Sequence, residues 1–520
     1  MVSLPPVSVT FFGSFNQREY PTDITRLFMK KRIQCILIII LIIPLAASCK
    51  STGTDNNHHE NGDEPKVVAV SIDKNITHQL IDGFGLFGAR SVWWDGNRNH
   101  LFSDEWARMI IEDLGVTIWR NEYYPPQTAI SPQDADWEKQ QPVVEGLARA
   151  AGEADVDLKM IFSVWSPPDE MKIAISESGN HLPGPGGKTR EVDVPHPGGT
   201  KWGGTLNPEM FEDFGNWLAD GVALYEELGI DLYAISPQNE PLFEQFYNSC
   251  FYRTDWFAEM LEHSIPVVKN RYPDVKIFAS ENMLGMEGGT DRQWFYHTEL
   301  MKHENALDQI DIWAIHGYLD GVHPTESSTA ARNWRNHYTE FSKPTGKPVW
   351  MTETSGYHDH WLTEGGRSGA LDLGLAIHAA LHHGNVSAWL WWQGSDAGTL
   401  NEYNLMQTET NPGKRYHVSK HFYRYIRPGA VRVELNYNDS DGVFATAFYH
   451  EEMETFTIVA INTNNEPVLL QIEGSNLLES YQMIVTNSTQ NAVNVGMVSP
   501  NEIIIPEESI VTLVKGNVYE

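Results

Sequence analysis

Two glutamates stand out by their neighbours. Glu240 closes the run Ile235-Ser-Pro-Gln-Asn-Glu240, and Glu353 closes Val349-Trp-Met-Thr-Glu353; each follows an apolar, β-rich segment. Carboxylates at the ends of two strands of one barrel can meet across a ligand. Two carboxylates flanking a sugar are what glycoside hydrolysis requires: one protonates the leaving oxygen, and the other attacks the anomeric carbon or activates water. At neutral pH the first must be held protonated by its surroundings and the second ionised. One acidic strand end would be read as a solubility device; a pair with these neighbours is read as chemistry. The chain also carries 17 Trp. Indole stacks on the flat C–H faces of sugars, so Trp at strand ends is expected to wall subsites. Trp93 and Trp94 follow the first run, Trp165 ends the third, and Trp389, Trp391 and Trp392 lie on the eighth. Side chains alternate along a strand, which points Trp389 and Trp391 one way and Trp392 the other. Trp165 and Trp391 are the expected sugar contacts. Glu244 and Glu281 are further acidic residues that could intrude on the site, but are read as solvated or structural.

The elements that must position these residues follow a regular alternation. Eight short apolar runs recur, each followed by a helical pattern: Asp82–Ala89, Val116–Arg120, Leu158–Trp165, Leu232–Glu240, Lys276–Asn282, Ile310–Tyr318, Pro348–Thr354 and Val386–Gln393. Eight successive βα units close into a (β/α)₈ TIM barrel, whose active site forms at the C-terminal ends of the strands. Helix signals support this: Ser103 precedes Trp106, Ile110 and Leu114, and Asn207 with Pro208 opens a helix running to Gly229. The Gly/Pro-rich stretch 181–204 cannot be helix or central strand and is read as a substrate-binding loop. After about Pro428 the runs are short, β-branched and separated by polar turns, which predicts an attached antiparallel β-sandwich. Val67–Ile72 is strand-like and is expected to pair with it. The predicted boundaries are 66–81 for the N-terminal strand of the side domain, 82–427 for the barrel and 428–520 for the sandwich.

Composition narrows the function. With 37 Lys+Arg against 69 Asp+Glu the net charge is −32. Phosphate binding is driven by basic residues, so nucleic acid is excluded as a main partner. From Met29 the sequence reads as a secretory signal: basic Lys30, Lys31 and Arg32, an apolar run too short to span a bilayer, then Ala46, Ala47 and Ser48. Residues 1–48 are therefore read as leader and signal peptide with a true start at Met29, and residues 49–65 as a flexible tether. Small residues running into Cys49 match a bacterial lipobox, which predicts lipidation of Cys49 and an exported lipoprotein touching membrane only through that anchor. Three cysteines (Cys35, Cys49, Cys250) make no disulfide framework.

The motifs resemble glycoside hydrolase family 30. Ser236-Pro-Gln-Asn-Glu240-Pro241 resembles the family's acid/base motif, Trp350-Met-Thr-Glu353-Thr-Ser355 its nucleophile strand, Ile81-Asp-Gly-Phe-Gly85 its barrel entry, and Phe422–Ala430 its junction with the β-domain. The resemblance implies a retaining mechanism with Glu240 as general acid/base and Glu353 as nucleophile. It also implies that Asn239 bonds the sugar 2-hydroxyl, that Arg120 keeps the nucleophile ionised, and that Tyr318 bonds the nucleophile with His316 beside it. No metal or other cofactor is required. The eighth run, Ala388–Asp396, has no arginine, so the resemblance points away from glucuronoxylan. A neutral β-glycan is expected, β-1,6-glucan ahead of xylan or β-1,6-galactan. The alternatives are an exo-acting β-glycosidase or a glucosylceramidase-like enzyme and, in another class, a catalytically silent glycan-binding lipoprotein.

Overall fold

The structure, a computed structural model, describes residues 65–88, 103–123, 137–173, 203–243, 249–289, 295–318, 327–396, 400–407, 411–474 and 479–516. The leader, Cys49, the tether, Trp93, Trp94, Glu244 and nearly all of 181–204 lie outside the described residues. Among the described residues no helix is long and apolar enough to cross a membrane.

Eight parallel strands close into a barrel: β2 Gly83–Phe87, β3 Ile118–Tyr123, β4 Lys159–Val164, β5 Ala234–Ser236, β6 Lys276–Met283, β7 Ile312–His316, β8 Val349–Glu353 and β9 Val386–Trp391. Each strand is followed by helix, from α1 Asp104–Arg108, α2 Trp137–Glu153, α3 Phe211–Glu226 and α4 Thr254–Arg271 to α5 Thr329–His337, α6 Ala370–His383 and α7 Lys414–Tyr423. Ser103 caps α1 by accepting from the Trp106 amide, and Gly115 ends its continuation at φ 89°, where a side chain would be strained. The strands are apolar on both faces because helices cover the outside and side chains fill the inside. Ile118, Ile161, Ala234, Phe278, Ile312, Ala314, Trp350, Ala388 and Leu390 form the inner cluster. With period-two alternation, the next inward positions are Arg120, Ser163, Ser236, Ser280, His316, Thr352 and Trp392. The barrel is thus packed below and polar above.

Strand β1 Lys66–Leu80 belongs to a separate nine-stranded, mostly antiparallel sheet with β10 Val431–Asn436, β11 Val443–His450, β12 Thr455–Asn462, β13 Val468–Gly474, β14 Tyr481–Thr486, β15 Val493–Val498, β16 Ile503–Ile505 and β17 Ser509–Lys515. Its order is β15-β14-β17-β12-β11-β10-β1-β13-β16. Leu470 on β13 and Met483 on β14 share one core although their strands lie near opposite ends of this order, so the sheet curls over a common interior. Phe444, Phe448, Val459, Ile461 and Ile510 on its other face join the core of the barrel's helical layer. The two recognised end motifs meet here: the Ile81 amide donates to the Ala430 carbonyl, the Gly429 amide donates to the Ile81 carbonyl, and the Tyr423 hydroxyl donates to the Gly85 carbonyl. At Gly85 a Cβ would fall 2.0 Å from the Ile118 carbonyl oxygen, so the entry strand needs glycine to lie against β3.

Candidate active site

The inward polar layer converges on Arg120. Its guanidinium has no exposed surface and donates four bonds: Nη1 to Glu353 Oε2 at 2.6 Å, Nη2 to Glu281 Oε1 and to Asn239 Oδ1 at 2.8 Å each, and Nε to Ser163 Oγ at 3.0 Å. Five donors in a rigid fork suit arginine and not lysine to this task. Burial works against the charge, but Glu281 and Glu353 more than offset it and Arg120 is held more firmly protonated than usual.

Neither acidic side chain reaches this point by simple alternation. Trp350 faces inward on β8, and period two from it would turn Thr352 in and Glu353 away. A register irregularity intervenes: Met351 pairs with Ile315, yet Glu353 pairs with His316, and the extra residue brings the carboxylate round. Glu281 is aimed in the same way by a shift between Ser280 and Asn282 on β6, with φ of 59°. Glu240 sits beyond the end of β5 with φ of 45°. Non-glycine residues in the left-handed region are uncommon and cluster at functional sites.

His316, fully buried at the end of β7, bridges these groups. Its Nδ1 lies 3.0 Å from Glu240 Oε1 and 3.9 Å from Glu353 Oε1, and its Nε2 lies 3.4 Å from Glu281 Oε1. Burial would lower its pKa, but the Glu353 charge and the bonds to Glu240 and Glu281 push it up to about 9. It is therefore an imidazolium at neutral pH, donating from both nitrogens. Glu281 is held down at about 2: burial raises it, and Arg120 and His316 outweigh the burial. Glu353, 7% exposed, accepts at both oxygens, from Arg120 and from the Tyr318 hydroxyl at 3.1 Å. Burial pushes its carboxyl above the usual glutamate range; His316 and Arg120 pull it back and Glu240 adds to the rise. Burial and the Glu353 charge raise the Tyr318 phenol, which keeps it a donor. Asn239 offers Oδ1 to Arg120, which turns its NH₂ outward as a donor.

One carboxylate oxygen of Glu240, one of Glu353 and a nitrogen of His316 lie within 4.8 Å of one another. Such a trio has the composition of a metal site. With both His316 nitrogens turned to carboxylates, the trio also suits proton transfer.

The aromatic expectations divide. Trp165 lies over Arg120, ring centroid 4.9 Å from the guanidinium carbon, with 5% of its surface exposed. Trp391 requires correction. It has no exposed surface, faces the helical layer, donates to the Tyr403 carbonyl and covers Arg415. The inward parity on β9 runs Ala388, Leu390, Trp392, and the half-buried Trp392 stacks on Phe87 at 4.0 Å, with Trp165 5.8 Å away. The sequence separated the two faces but not which faced in. Trp350 and Leu390, lining the barrel floor, settle it. Glu281, read as structural, lies inside the cluster.

No family model matches the chain. It is 23% identical over 408 residues to a curated protein, glucuronoxylanase XynC of Bacillus subtilis (strain 168), covering 77% of this chain and 79% of that one. Among solved structures it is similar to a GH30 endoxylanase from Clostridium papyrosolvens C71, with TM-score 0.64 and 22% identity over 86% of this chain and 100% of that one. It is also similar to the endo-β1,6-glucanase BT3312, with TM-score 0.62 and 16% identity over 86% of this chain and 94% of that one. The barrel with its side β-domain is common to these structures.

Proposed function

Taking as premise the membership of glycoside hydrolase family 30 that these relatives support, we propose that the chain cleaves a neutral β-linked polysaccharide by double displacement. O-glycosyl hydrolysis is the chemistry of the relatives. The observation that carries the reading is the close approach of the Glu240 and Glu353 carboxylates, within 4.8 Å at their nearest oxygens. Retaining glycosidases hold their carboxyl groups about 5–5.5 Å apart, whereas inverting enzymes leave about 6.5–9.5 Å for a water.

In the first step Glu353 attacks the anomeric carbon while Glu240 gives its proton to the departing oxygen. Arg120 and Tyr318 hold one Glu353 oxygen each and orient the carboxylate. In the second step water enters beside Glu240, which takes a proton as the water opens the glycosyl-enzyme. The outward NH₂ of Asn239 is placed to donate to the sugar 2-hydroxyl, and Trp165 and Trp392 supply the aromatic wall.

The relatives' names include both xylan and β-1,6-glucan as substrates. β-1,6-Glucan is put ahead of xylan here because the eighth strand and its continuation to Asp396 bear no arginine to hold an acidic branch. A xylan backbone is the second reading, favoured by the endoxylanase relatives. The signal-like segment from Met29 and Cys49 support export as a lipid-anchored protein facing extracellular or periplasmic glycan. A panel of linkage-defined glycans with product sizing tests substrate and endo or exo action together. Oligomers from β-1,6-glucan are expected, and release from glucuronoxylan alone would overturn the preference.

A further inference from the structure

The mechanism above gives Glu281 no step. Yet its carboxylate is fully buried, aimed inward by a bulge with φ of 59°, and one oxygen serves both Arg120 Nη2 at 2.8 Å and His316 Nε2 at 3.4 Å. An unneeded buried carboxylate would cost several kcal/mol of desolvation and disappear readily into a neutral residue. We propose that Glu281 is a positioning residue that sets the charge of the catalytic pair: it docks Arg120 and His316 as two cations around one oxygen, so that the cluster is neutral when Glu353 is ionised and Glu240 carries a proton. This rests on the acid/base and nucleophile roles given to those two residues.

The charge count is the argument. Arg120 and His316 bring two positive charges, and Glu281 and Glu353 bring two negative ones. These four charges cancel without Glu240, whose role as acid requires a proton on its carboxyl. With Glu281 made neutral one positive charge is in excess, and it is relieved by ionising Glu240, which costs the acid its proton, or by deprotonating His316. Around Glu281 stand Arg120 from β3, Ser236 from β5 and His316 from β7; Glu353 and Tyr318 lie one shell further. Glu122, two residues beyond Arg120, also acts on that guanidinium, and it is the same in wild type and variant.

The test compares Glu281→Gln and Glu281→Asp with wild type by the pH dependence of kcat/KM on the glycan that gives most product. Glu281→Gln is expected to move both limbs to lower pH by about one to two units, as the loss of one charge at this range requires. Glu281→Asp, which keeps the charge, is expected to leave the limbs near their wild-type positions. In ¹⁵N-histidine spectra His316 should be doubly protonated at pH 7 in wild type and titrate at lower pH in Glu281→Gln. This readout needs no turnover and so separates failure of the proposal from failure of the catalytic reading. Limbs and His316 signals unmoved in Glu281→Gln, with only stability lost, would make Glu281 a packing residue and overturn the proposal. Equal shifts in both variants would do the same.

Discussion

Two buried clusters of arginine and histidine occupy opposite ends of the barrel, and their charges move in opposite directions. At the C-terminal ends of the strands, Arg120 is strengthened as a cation and His316 rises to about 9. At the junction with the side sheet, Arg432 is lowered to about 10, and His378 and His382 fall well below the ordinary histidine value. Burial disfavours charge in both places. Carboxylates make the difference. Three face His316, whereas at the junction Glu434 acts on Arg432 from beside His78, the bonds from Arg432 run to the amide oxygens of Gln79 and Asn385, and His378 meets the Tyr437 hydroxyl. A cavity of about 600 Å³ opens at the junction, lined by His78, Arg335, His382 and Arg432 among others, and includes neither Glu240 nor Glu353. Compensated charge sets the first cluster apart, and the chemistry follows the charge.

The contrast can be broken most severely at Arg120. Arg120→Gln strands Glu353 and Glu281 without their shared cation, and a loss of about 3–5 kcal/mol in urea unfolding is expected. With it goes a fall in kcat/KM of roughly 10²–10³-fold. Removing Arg120 takes away a charge that lowers the Glu353 carboxyl, so the acid limb should climb further above the ordinary glutamate value of 4.5. An acid limb unmoved in Arg120→Gln would deny that this charge tunes Glu353. At the other end, Arg432→Gln removes a cation hydrogen-bonded to neutral amides and drawn up by Glu434; about 1–3 kcal/mol of stability should go while kcat/KM and both pH limbs stay in place. A displaced limb would mean that the two clusters communicate. The smallest effect separates two neighbouring indoles. Trp391→Phe should cost about 1–2 kcal/mol through its lost bond to the Tyr403 carbonyl, with KM unchanged. Trp392→Phe should leave stability nearly intact and raise KM severalfold. The reverse pattern would return Trp391 to the sugar-binding face.

Much of this was legible in the chain. Eight runs at βα spacing correspond to the eight strands, because strands buried on both faces read as continuous apolar segments. Glu240, Glu353, Arg120, Asn239, His316 and Tyr318 are gathered into one hydrogen-bonded cluster; the strand ends paired the two glutamates, and resemblance alone added the other four. What stayed hidden was local register. Alternation would have sent Glu353 and Glu281 outward, and bulges at Met351/Glu353 and Ser280/Asn282 turn them in. No period in the sequence encodes an extra residue in a ladder, so Glu281 passed for a structural residue. The error at Trp391 has the same root: period two separates faces, and only the closed barrel says which one is inside.

The central claim is the division of labour between Glu240 and Glu353, and external azide tests it most directly. Azide enters wherever a carboxylate has been cut away, so the configuration of the glycosyl azide reports which face that carboxylate occupied. With an activated aryl β-glycoside, Glu353→Gly is expected to lose ordinary turnover and, with azide, to form the α-glycosyl azide, displaced directly from the nucleophile's side. Glu240→Gly should form the β-glycosyl azide, through a glycosyl-enzyme that Glu353 still makes. The opposite pairing of variant and anomer, or undiminished hydrolysis by Glu353→Gly, would contradict the account.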